Sequence, residues 1–156
     1  MTPSARRIGY RSVAGLAALA GVCIATAGCS PVYSTSGRLA QTASDASAQA
    51  QTAALTLSLV ASQRLVAPTA ETALSDAIDK LGQDDASLTS TDVSGALETA
   101  RRRILARLRT SEDLLARARR LVEAQARPAQ VEVVVRSLRA TAKQLSDIDQ
   151  QLQGSS

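Results

Sequence analysis

Two aromatic residues stand in a chain of 156, Tyr10 and Tyr33, and there is no Phe or Trp. Hydrophobic residues still make up 45% of the sequence. A core built under that restriction consists of Ala, Leu, Val and Ile. Such a mixture belongs in helices, because strands draw on aromatic and β-branched side chains. The length suits one domain.

The spacing of the apolar residues agrees. Over 38–66, Leu39, Ala43, Ala46, Ala50, Ala53, Leu57 and Val60 recur at alternating steps of four and three. That is one face of a helix with a coiled-coil-like seam, and its Ala content lets a partner helix approach closely. A shorter helix is expected over 69–82, with Pro68 at its start, Ala70, Leu74, Ala77 and Leu81 on one side, and Gly82 as its stop. Residues 83–91, rich in Asp, Ser and Thr, are expected to form the main internal loop.

Residues 92–126 carry the clearest stripe: Leu97, Ile104, Leu108, Leu115 and Val122. Thr89 and Asp92 are cap-type residues at its start. Thr110-Ser111-Glu112-Asp113 resembles a capping box that could restart a helix. The seam passes through Leu108, Ser111 and Leu115 in phase, which predicts one continuous helix. After Pro128 the pattern resumes over 129–153 with Val131, Val134, Leu138, Thr141, Leu145, Ile148 and Leu152. The run Val131 to Val135 could be a short strand, but its neighbours have helical spacing and predict helix. The fold expected is all-α: an antiparallel up-down bundle of three long helices and one short one over 38–156.

The first 28 residues read differently. Arg6, Arg7 and Arg11 precede an uncharged run, 13–25, and small residues then lead to Cys29. A positive start, a short apolar stretch and small residues at a cut are the layout of a secretory signal. The apolar run is shorter than the roughly 20 residues a spanning helix needs. Ala27-Gly28-Cys29 resembles the lipobox of bacterial lipoproteins, although Thr26 stands where that family usually has Leu or another aliphatic. The resemblance covers residues 1–29 and concerns targeting. It implies cleavage between Gly28 and Cys29, a diacylglycerol on Cys29, and a place on the extracytoplasmic face of a bacterial cell membrane. Two acyl chains hold a protein on a bilayer stably. Residues 29–37, Ser-, Thr-, Pro- and Gly-rich after the Cys, are expected to be a flexible tether. Lipidated Cys followed by Ala/Leu heptads is also the layout of murein lipoproteins. Those end in a wall-linked Lys, whereas this chain ends Gln153-Gly154-Ser155-Ser156, so covalent wall attachment by that route is not expected.

Removing the signal changes the charge. The net +4 includes +3 from Arg6, Arg7 and Arg11, which leaves about +1. The remaining charge is uneven: residues 38–92 sum to −4 and residues 93–143 to +7. At 100° per residue, Arg102, Arg109, Arg120 and Arg127 fall within about 20° of one another, opposite the apolar stripe. This ridge could face anionic lipid, an anionic wall polymer or an acidic envelope protein, or it could be a solvated face. Without a nucleic-acid motif or stacking aromatics, nucleic acid is not an expected partner.

The chain has no His, which removes the commonest general base and metal ligand. Cys23 and Cys29 have no zinc or redox spacing. The carboxylate pairs Asp84-Asp85 and Asp147/Asp149 read as solvated surface acids. No catalytic residue, metal site or cofactor is expected. The expected role is a membrane-anchored, non-enzymatic structural or adaptor module, with binding of an apolar or lipidic ligand as the alternative.

Overall fold

Ser34 opens the first helix: its hydroxyl accepts from the Gly37 N–H at 3.2 Å, an N-cap bond that satisfies one orphan donor. In the computed structural model, which describes residues 34–154, four helices follow. They are α1 (Thr35–Ala61), α2 (Ala67–Thr89), α3 (Ala96–Glu123) and α4 (Pro128–Gln153). Among the described residues there is no strand. Residues 1–33, with the expected signal, Cys29 and most of the tether, lie outside the described residues. Thr35–Gly37, expected in the tether, belong to α1 because Ser34 caps ahead of them.

Short connections turn each helix back on the last, and side-chain contacts place the pairs antiparallel. Ser47 of α1 meets Ala142 of α4, while Ser58, Ala61 and Ser62 line a surface with Pro128 and Glu132. Arg101 of α3 reaches the end of α2, and Glu112 lies over Gly82. Arg103 of α3 bonds Gln151 near the end of α4. The helices therefore form a ring in chain order, closed by α4 against α1, with α1 also touching α3 across the diagonal.

The seams run as the periodicity predicts. Leu39, Ala43, Ala46, Ala50, Ala53 and Leu57 are buried on α1. Ile104, Leu108, Ser111, Leu115, Ala118 and Val122 are buried on α3, which is continuous through Thr110. The Thr110 hydroxyl bonds back to Ala106 O and starts no new helix. Val131, Val134 and Val135 are buried on α4, and their helical periodicity overrides their β-branched character.

α2 departs from expectation. It is not a short helix ending at Gly82 but a helix of 23 residues, comparable with the 27, 28 and 26 of its neighbours. Leu88 repeats Leu74 and Leu81 at steps of seven and is buried, so continuing the helix buries another side chain. That outweighs the cost of a mid-helix Gly, about 1 kcal/mol. The loop expected over 83–91 shrinks to residues 90–95. Its last residue, Gly95, has φ 63° and ψ −134°, a backbone essentially restricted to glycine. Gly95 is also the N-cap of α3, so Thr89 and Asp92 do not cap it.

α1 and α4 form the most extensive interface. The reason is the Ala-rich face of α1. It brings the backbones close enough for the Ser47 hydroxyl to donate to the Ala142 carbonyl at 2.9 Å, 95 residues away in sequence.

Candidate functional site

Of the four ridge arginines, three lie on α3 and are exposed: Arg102, Arg109 and Arg120. Arg127 is not on that helix. α3 ends at Glu123, and Arg127 is the extended N-cap of α4, so it leaves the stripe and joins the turn before Pro128. Arg102 Nε stands 3.7 Å from Glu98 Oε1, and Arg109 Nε stands 3.6 Å from Asp85 Oδ1 of α2. Those side chains are 69% and 67% exposed, so the pairs are weak and the ridge remains accessible.

Arg101, beside the ridge, does something the periodicity did not reveal. Its Nη1 donates to the carbonyls of Thr91 at 2.9 Å and Leu88 at 3.4 Å, and its other nitrogens face Glu98. The last carbonyls of a helix have no intrahelical partner, and a guanidinium can take them. Arg101 is thus a cap on α2 supplied by α3. Only the antiparallel packing of the two helices brings it there.

The α2/α3 face also gathers acids. Burial pushes the Asp84 carboxyl above its ordinary range, Asp45 of α1 adds to that, and Lys80 opposes it. Burial likewise raises Glu112, with Asp85 and Asp113 adding and Arg109 opposing. Among the described residues no three His, Cys, Asp or Glu side chains converge to hold a metal ion. Asp147 pairs with Lys143, and Asp149 accepts from Gln153 at 2.6 Å, both on the surface of α4.

Two surface hollows have mixed character. A groove of about 730 Å³ between α1 and α4 is lined by Gln51, Thr52, Leu55, Arg139 and Lys143 among others. Arg139 leans across α1 to Ser58 Oγ at 3.4 Å. The second hollow, about 690 Å³, lies at the end of the bundle between the α1–α2 turn and the α3–α4 turn. Leu65, Val66, Leu121, Ala126, Pro128 and Val131 contribute its apolar wall, and none of its lining residues is acidic.

Those two turns are built alike. In the first, Gln63 N–H bonds Val60 O and Arg64 N–H bonds Leu59 O. In the second, Gln125 N–H bonds Val122 O and Ala126 N–H bonds Leu121 O. This double bond pattern is the Schellman motif, whose left-handed position is usually Gly. Here it is Gln twice, at φ 57° for Gln63 and 47° for Gln125. No helix among the described residues is long and apolar enough to cross a membrane. No family model, curated protein or solved structure matches the chain.

Proposed function

We propose that the chain is a membrane-anchored lipoprotein of the bacterial envelope, with a helical bundle that acts as a non-enzymatic structural or adaptor module. Ala27-Gly28-Cys29 after a short apolar run is the observation that carries it. The lipid on Cys29 would hold the protein at the extracytoplasmic face, and residues 30–33 would link it to α1. α1 is about 40 Å long at 1.5 Å per residue, so the bundle presents its α1–α2 and α3–α4 turns well away from the point where the chain enters it. The side chains of Leu39, Leu74, Leu108, Leu138 and Leu145 are fully enclosed, which suits a rigid module better than one that opens around an apolar ligand.

Partners in this reading are the membrane, through the anchor, and an envelope protein or an anionic lipid or wall polymer, through basic surface. Cys29→Ser separates the anchor from the rest: the variant is expected to leave the membrane fraction and to change in size. A membrane-bound product of unchanged size would end the lipoprotein reading. Crosslinking in the native membrane, with and without charge reversal at Arg102, Arg109 and Arg120, tests the ridge. Unchanged capture by the triple variant would remove the ridge from the contact surface.

A further inference from the structure

The end of the bundle formed by residues 60–67 and 121–131 combines three properties. It is apolar and open: Val66 is 66% exposed and borders the 690 Å³ hollow with Leu65, Leu121 and Val131. It is cationic on two sides: Arg64 lies in one turn and Arg127 in the other, and neither has an ion-pair partner among the described residues. It holds two non-glycine residues in left-handed backbone, Gln63 and Gln125, both lining the hollow. Left-handed backbone is unfavourable for a non-glycine residue, because Cβ crowds the following carbonyl. Gly would relieve the cost, but it would remove a side-chain amide from each rim. The end lies opposite Ser34 and Gly154, because α1 runs toward it and α4 runs away.

The arrangement of charge selects the occupant. A symmetric contact between two copies would bring the same patch against itself and oppose the arginines to arginines. A single fatty-acid anion carries one carboxylate, whereas the cations sit on two separate turns. An apolar stripe with carboxylates on both flanks matches both features. We infer that this tip, resting on the adaptor reading above, docks an acidic amphipathic helix of a protein partner. Its aliphatic side chains enter the hollow between the turns, and its flanking carboxylates meet Arg64 and Arg127. The amides of Gln63 and Gln125 supply rim hydrogen bonds, in keeping with a polar rim around an apolar centre.

The test is a fluorescence-anisotropy titration of the purified full chain with a labelled amphipathic peptide that carries a Leu stripe flanked by Glu. The chain is held in neutral phosphatidylcholine vesicles if lipidated and in solution if not, with empty vesicles as the baseline. The Glu-flanked peptide is expected to bind, and a Lys-flanked version to bind at least about tenfold more weakly. Arg64→Glu with Arg127→Glu, and separately Val66→Asp, are each expected to weaken the Glu-flanked peptide by about tenfold or more. These are exposed positions, and unchanged helical circular dichroism shows that the variants fold. Equal binding of the two peptides, or binding untouched by the tip variants, would overturn the inference. So would self-association of the full chain that Val66→Asp abolishes, which would make the occupant a second copy. Displacement of the peptide by dodecanoate at stoichiometric concentration would overturn it in favour of a small lipid. A failed Cys29→Ser test leaves the titration intact, and a failed titration leaves the anchor intact.

Discussion

The pair α1/α4 and the pair α2/α3 solve the same packing problem by different means. α1 buries Ala43, Ala46, Ala50, Ala53 and Ala54, and its buried Ser47 is bonded straight to the α4 backbone. α2 and α3 bury Leu74, Leu81, Leu88, Leu108 and Leu115, with charge at the margin between them: Arg101 reaching the end of α2 and Asp85 facing Arg109. The first interface depends on nothing being added, because close backbones leave no space. The second depends on nothing being removed, because large side chains and one arginine fill and close it.

Volume changes should separate the two most strongly. Leu108→Ala is expected to destabilise by about 2–5 kcal/mol, since it leaves a cavity in a fully enclosed site. Ala50→Leu on α1 is expected to cost about 1–3 kcal/mol by overpacking. Urea denaturation measures both. A tolerated Ala50→Leu would break the claim that α1 lies tight on its partners.

Arg101→Ala comes next. It removes the guanidinium donor from the carbonyls of Leu88, Thr89 and Thr91 at and just past the end of α2, at about 1–2 kcal/mol. The loss should appear as faster amide exchange in residues 85–91. Arg102→Ala, at an exposed weak pair, should change stability by less than about 0.5 kcal/mol, and equal effects would refute the capping role.

The two buried serines sharpen the comparison. Ser47→Ala loses a bond between helices and is expected to cost about 1 kcal/mol. Ser111 on α3 is fully buried, and its hydroxyl has no hydrogen-bond partner among the described residues. Ser111→Ala should therefore be neutral or stabilising in the same assay.

The smallest effect depends on pH. Asp84 has a folded-state pKa raised above its ordinary 3.8, so the folded chain holds that proton more tightly than the unfolded chain. Stability from this group is complete below the ordinary value and declines as pH rises through the folded value. Asp84→Asn is expected to raise the denaturation midpoint at pH 7 and to bring little or no gain at pH 3. An equal gain at both would show that Asp45 and burial do not act through the charge of Asp84.

How much of this was legible in the order of residues varies with the reach of the interaction. The Leu108, Ser111, Leu115 seam was readable through a capping-box lookalike, because phase along one helix is a local property. Gly82 marks a local stop, yet α2 runs on to Thr89, and Leu74, Leu81 and Leu88 stand seven apart. Gly, Asp and Ser signal turns locally, and burial of Leu88 against other helices overrode them. Arg102, Arg109 and Arg120 lie exposed on α3, where the periodicity puts them. Arg127 does not, because Pro128 starts a new helix and the preceding turn takes Arg127 off the α3 axis.

Composition and periodicity by themselves determined that this chain is helical and that Ala, Leu, Val and Ile form its core. Those follow from propensities and spacings that act within a few turns. Only the tertiary structure decided that Arg101 closes a different helix, that Ser47 reaches Ala142, and that two glutamine turns about 60 residues apart flank one hollow. Each of these depends on which helices lie side by side, and no local rule contains that information.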